Sequence, residues 1–186
     1  MIAGERERTS PGLTALFASL SEDGRHSILD LGPAGARPLA VLSRFARQIR
    51  FAGLVPRAGG GDAWSVALRT LEPNESLPYD VVLAWDVLDR LDPDQRAAAV
   101  ARLAEITAPR ARLYAVVDGS GAAATQPLTF TLVDVGRVSE RASGPPEPAP
   151  HPLLPAQVER ALGPFEVVRA FMLRTGAREY VAMKRA

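Results

Sequence analysis

The stretch with the clearest chemistry is Ile28-Leu29-Asp30-Leu31-Gly32-Pro33-Ala34-Gly35. It reads as a short buried strand, Ser27 to Leu31, that runs into a glycine turn and then a helix. Such a turn gathers backbone N–H groups around a concave site at the carboxyl end of a strand, where open α/β sheets bind ligands. Glycine is needed because a side chain blocks a ligand's approach to the backbone. A second set lies at Ala84-Trp85-Asp86, with Asp89 close behind. A carboxylate at a strand end can take a proton from an attacking hydroxyl or amine. Asp86 is the candidate for that role, against the alternative that it caps a short helix or sits in solvent. Asp89 reads as the solvated one of the pair. Trp85 is either a wall of a substrate pocket or a core aromatic at a strand end.

Several other chemistries are excluded or weak. The 186 residues contain no cysteine, so disulfides, thiolate catalysis and cysteine-bound zinc are absent. His26 and His151 are the only histidines, which argues against a histidine metal site. His26 precedes the first strand, at the end away from ligands, and His151 reads as a solvated loop residue. Gly59-Gly60-Gly61 lacks the lysine and Ser/Thr that complete a P-loop and reads as a surface loop. With 22 basic and 21 acidic residues the net charge is +1, so no dedicated nucleic-acid surface is expected. Met1 to Thr9 has no apolar h-region, and no apolar run approaches the roughly 20 residues of a membrane span. The expectation is a cytoplasmic single domain, residues 1–186, with no membrane partner.

The elements that must position these residues follow from periodicity and punctuation. Residues 1–10 read as a frayed polar start. Leu13, Leu16, Phe17 and Leu20 recur at helical spacing over residues 12–20. Pro38 opens a second helix, with Leu39, Leu42 and Phe45 on one face. Gln48 to Val55 reads as the second strand. Residues 62–70 suit a short helix with Asp62 as its cap, yet a third parallel strand is expected before residue 79, and Ser65 to Leu71 could supply it. Tyr79 to Trp85 is a strong strand. Asp92, Pro93 and Gln95 signal a helix start with a capping box, and the helix runs through Val100, Leu103 and Ile106 to stop before Pro109. Leu113 to Val117 is the next strand, giving the strand–helix–strand unit of a parallel sheet. Thr129 to Val133 and Val135 to Glu140 look extended. A connector rich in proline spans residues 142–152. Pro155 to Leu162 is a short helix. Phe165 to Arg174 and Arg178 to Lys184 form a closing hairpin through Thr175-Gly176-Ala177. Arg169, Arg174, Arg178, Lys184 and Arg185 on the final strands read as a solvated or edge-protecting face.

Here the order of elements resembles a known family. Residues 28–35 resemble motif I of class I S-adenosylmethionine (SAM) dependent methyltransferases. Residues 79–91 resemble that family's fourth strand and following loop, Pro109-Arg110-Ala111-Arg112-Leu113 resembles the approach to its fifth strand, and the closing hairpin resembles its terminal antiparallel pair. The resemblance covers residues 25–185. It implies a three-layer Rossmann-like fold, with a mostly parallel sheet of seven strands ending in a C-terminal antiparallel hairpin. It implies SAM across the tips of the first, second and fourth strands. Asp30, Gly32, Ala34 and Gly35 would line its methionine part, while Ala84, Trp85 and Asp86 would lie beside the transferred methyl group.

The departures from the family pattern are specific. Alanine stands at positions 34 and 36, where the family has glycine, and Pro33 removes a backbone donor. The end of the second strand, Arg50-Phe51-Ala52-Gly53-Leu54, lacks the acid that would bind both ribose hydroxyls; Asp62 is the nearest substitute. Two readings follow. One is a SAM-dependent methyltransferase acting on a small molecule, whose in-line displacement asks the protein mainly for alignment. The other is a methyltransferase-like binding or scaffold module that has lost SAM affinity, with a protein partner or a second copy meeting an exposed sheet edge. A nicotinamide-binding fragment is the weakest alternative: Ala34 and Arg37 break its glycine pattern, although Arg50 or Arg57 could meet a 2′-phosphate.

Overall fold

The computed structural model describes residues 4–54, 61–72, 77–118, 124–148 and 153–186. His151, Arg57, Gly59, Gly60 and the side chain of Asp62 lie outside them, as do Pro150 and Pro152 of the connector. The central sheet uses β2 (His26–Asp30), β3 (Ala46–Phe51), β4 (Tyr79–Trp85), β5 (Thr107–Val117), β10 (Phe165–Met172) and β11 (Arg178–Lys184). Their order is β10-β11-β5-β4-β2-β3. Strands β2 to β5 run parallel, β11 joins β5 antiparallel, and β10 pairs antiparallel with β11 at the edge.

Alternation along these strands divides the core into two faces, because successive side chains point to opposite sides. Leu29, Val82, Ala84, Leu113 and Ala115 face one way. They pack on helices α3 (Gly61–Arg69), α5 (Pro93–Ile106) and α6 (Pro155–Ala161). Ile28, Val81, Leu83, Trp85, Tyr114 and Val116 face the other way. That side is covered by α1 (Pro11–Phe17), by α2 (Ala36–Leu42) and by a small second sheet. The capping box at Asp92 is formed as the sequence implied: Gln95 N–H donates to Asp92 Oδ1 at 2.8 Å, and the Gln95 amide reaches back. Lys184 is not solvated, since its Nζ donates to the carbonyls of Ala104 and Thr107 at the end of α5.

The second sheet has the order β1-β8-β7, from β1 (Arg6–Thr9), β7 (Leu128–Asp134) and β8 (Arg137–Ala142). Residues 6–9 are therefore a paired strand, not a frayed start. Charge hid this. Arg8 pairs with Glu140 and with Glu179, and Glu179 is fully buried. It also accepts from Gly12 N–H at 2.7 Å and from the Tyr114 hydroxyl at 2.9 Å. The connector also holds structure, for β6 (Ala124–Thr125) pairs with β9 (Glu147–Pro148).

Three further expectations are corrected. Ser65 to Leu71 is no strand: Trp64, Leu68 and Leu71 are buried at helical spacing, so α3 forms and packs on α5. The sheet accordingly has six strands among the described residues, with β3 at its edge, in place of seven. Strand β3 spans Ala46 to Phe51, beginning and ending earlier than Gln48 to Val55. The second helix starts at Ala36, two residues before Pro38.

Candidate functional site

The turn after β2 and the end of β4 meet at the carboxyl edge of the parallel strands. Asp30 is buried at the end of β2. Its Oδ1 accepts from Gly32 N–H at 2.8 Å and from the Trp85 indole Nε1–H at 2.6 Å. Burial pushes the Asp30 carboxyl up to about 6, while these two hydrogen bonds pull it the other way. A Cβ on Gly32 would lie 2.9 Å from Trp85 Nε1 and 3.0 Å from Asp30 Oδ1. The missing side chain at Gly32 thus admits the protein's own indole.

Trp85 is 3% exposed. Its ring stacks on Phe130 of β7, with centroids 5.7 Å apart and planes within 4°, and meets Tyr114 edge-on at 5.6 Å. Its backbone takes φ = 51°, a left-handed state that is an outlier for a bulky residue. On the opposite side, the chain leaving β3 folds across the turn. Gly53 N–H donates to the Gly32 carbonyl at 3.0 Å and Leu54 N–H to the Leu31 carbonyl at 2.8 Å. Gly53 has φ = 67°, where glycine is at ease. Ala52, Gly53 and Leu54 offer no carboxylate.

The other residues singled out by sequence fall around this centre. Ala84 is buried in the face opposite Trp85. Ala34 and Gly35 are exposed, and Gly35 takes the N-cap position of α2. Asp86 lines the cleft at the start of α4 (Val87–Arg90). Its carboxylate takes no cap hydrogen bond and pairs with Arg90 Nε at 2.6 Å. Burial raises the Asp86 carboxyl above its ordinary range, and Arg90 opposes the rise. Asp89 is not in open solvent. Its Oδ2 accepts from Asp118 N–H at 2.8 Å and its Oδ1 from Leu153 N–H at 3.2 Å. Burial lifts it to about 6, against those two bonds. His26 opens β2 at the far end of the sheet, with Nδ1 4.0 Å from Asp80.

Phe130, with Leu128 and Thr129, covers the cleft from β7. Sequence reasoning saw these residues only as an extended segment. The apolar alternation at Phe130 and Leu132 signalled a buried face but not which surface it would bury. The space left between Gly32, Leu54, Trp85, Asp86 and Phe130 is a shallow cleft that opens to solvent, far smaller than the pockets that enclose small molecules.

The chain has the fold of the class I SAM-dependent methyltransferases. A Burkholderia thailandensis 1,6-didemethyltoxoflavin-N1-methyltransferase, solved with S-adenosylhomocysteine, superposes with TM-score 0.55 at 16% identity, over 95% of this chain and 78% of its own. The N-methyltransferase NodS of Bradyrhizobium japonicum gives 0.53 at 15% identity, over 94% of both chains. A SAM-dependent methyltransferase assigned in Listeria monocytogenes gives 0.54 at 10% identity, over 92% of this chain and 96% of its own. No protein-family model matches the chain, and no curated protein matches it in sequence. No helix among the described residues is long and apolar enough to cross a membrane.

SAM is the cofactor that this fold implies. In the conformation described, the cleft does not fit it. The indole of Trp85 lies against Gly32, Leu54 lines the cleft from the chain leaving β3, and the residual space is small. Of the residues that would meet the cofactor, Asp30, Gly32 and Trp85 are hydrogen-bonded to one another.

Proposed function

We propose that this chain is a methyltransferase-fold module that does not transfer methyl groups, and that it acts as a binding or scaffold protein. The observation that carries the reading is the Trp85 to Asp30 hydrogen bond across the face of Gly32. It sets a side chain of the protein over the turn that the resemblance to the methyltransferases assigns to the methionine part of SAM. Isothermal titration of the full chain with SAM and with S-adenosylhomocysteine tests it. No saturable heat up to millimolar ligand is expected. Binding in the micromolar range would overturn the proposal.

A second reading is favoured by one observation, the left-handed backbone of Trp85. Strain of this kind costs on the order of 1–3 kcal/mol and gathers at switch regions and ligand clamps. A second backbone state at Trp85 would relieve it and swing the indole from the cleft. Under that reading the chain is a SAM-dependent methyltransferase of a small molecule seen closed, with Asp86 placed to take the acceptor's proton. The same titration separates the two readings.

A further inference from the structure

We propose that the outer edge of β10 is a self-association seam, where a second copy of this chain adds its own β10 antiparallel and continues the central sheet across a two-fold axis. Neither functional reading uses this edge, so the inference stands apart from both. An open sheet leaves a row of unpaired N–H and C=O groups at each side, and proteins guard such rows with charge. The two sides of this sheet differ. Strand β3 carries Arg47 and Arg50 and has no large hydrophobic among the exposed ones. Strand β10 leaves Met172 74% and Val168 48% exposed, and Arg169 is the only charge from Val167 through Leu173. Among the described residues no strand pairs with this outer edge.

The backbone limits how a partner can join. Leu173 N–H donates to the Ala177 carbonyl at 2.8 Å, with Phe171 opposite Glu179 and Arg169 opposite Val181. Antiparallel alternation then turns the N–H and C=O of Leu173, Phe171 and Arg169 toward β11, and those of Ala170 and Met172 outward. The bulge between Val167 and Arg169 breaks this pattern below, so the regular strip runs from Arg169 to Leu173. That strip is its own complement about an axis at Phe171. Ala170 faces Met172 of the second copy, so the outward groups pair with each other and a small side chain sits opposite a long one. Phe171 meets its symmetry mate in the close, non-bonded position that suits aromatic pairs. Arg169 falls opposite Leu173 of the second copy and Arg174 opposite Val168, so no like charges oppose. An axis at Arg169 would set the two arginines face to face, and one at Ala170 would match Met172 to the bulge. One patch used twice is the form of a two-fold interface.

Sedimentation velocity of the full chain over a concentration series, with amide exchange followed by NMR, tests the seam. The native chain is expected to pass from monomer to dimer as concentration rises. Exchange at the Ala170 and Met172 amides should slow in step, toward that of Phe171. Ala170→Pro removes an outward donor and sets a ring at the seam while sparing the bonds to β11, as proline at an edge position can. It is expected to stay monomeric throughout. If it does not fold, Met172→Lys changes only an exposed side chain and is expected to shift association to higher concentration. A native chain that stays monomeric overturns the inference. So does a dimer retained unchanged by the folded variants, or one whose Ala170 and Met172 amides exchange as fast as in the monomer.

Discussion

At the scale of single residues, Asp30 is the group that most shapes the pH response. Its carboxyl rises from 3.8 to about 6 in the fold, so between those values the folded state holds a proton that the unfolded state has released. Stability from this group is therefore greatest near pH 4, falls as pH rises to about 6, and is flat above that. The size is about 3 kcal/mol at most. Asp30→Asn keeps an oxygen acceptor for both the Trp85 and Gly32 donors and removes the charge. We expect the variant to be more stable than the native chain at pH 7, with the gain vanishing by pH 4, in urea unfolding at a series of pH values. No gain at pH 7 would mean that Asp30 is better solvated than its burial implies. Asp30 and Gly32 were legible as the residues of a strand-to-helix turn, whatever that turn binds. Their partner was not. Alternation puts Trp85 on the same face as Val81 and Leu83, but nothing local turns its indole back onto a residue 55 positions away.

At the scale of elements, a half-buried carboxylate and a buried one fasten segments that the parallel sheet does not hold by itself. Asp89 takes the N–H groups of Asp118 and Leu153, which flank the whole stretch carrying the β7–β8 hairpin. Asp89→Ala should speed amide exchange at Asp118 and Leu153 and through β7, while leaving β4 and β2 protected. Uniform loss of protection would show that the contact is global. Glu179 joins Arg8, Gly12 and Tyr114. Glu179→Ala leaves Arg8 without this buried partner and should destabilise by about 3–5 kcal/mol in urea unfolding, far beyond a surface pair. The order of the main strands and helices was legible because apolar period and caps agree at each. Strand β1 was not, because its pairing rests on arginine and glutamate, which read as solvent-facing until Glu179 is seen buried. The third strand failed for the opposite reason: Trp64, Leu68 and Leu71 suit a helix facing α5 better than a pleat.

At the scale of the whole molecule, the small sheet and the chain leaving β3 both line the cleft, through Phe130 and Leu54. Restoring the missing acid alone is therefore insufficient. Gly53→Asp places a side chain at φ = 67°, strained though sterically open, and it leaves the Trp85 ring in place. We expect it to lower Tm and to bring no S-adenosylhomocysteine binding by titration. Binding gained from this single change would show that the closed cleft opens readily. The architecture was readable because order and spacing are set by many weak signals together. Closure was not, since it depends on how a hairpin far along the chain docks.

The sequence has two tryptophans, and the sheet separates them. Trp64 belongs to the core under α3 and α5, and Trp85 to the core under α1, α2 and the small sheet. The protein thus carries one intrinsic fluorophore on each side of its central partition. Trp64→Phe leaves emission from the cleft side only, and Trp85→Phe from the helical side only. Coincident denaturation curves from the two variants would show a single cooperative unit. An earlier transition on the cleft side would time the lifting of β7 directly, with no added label.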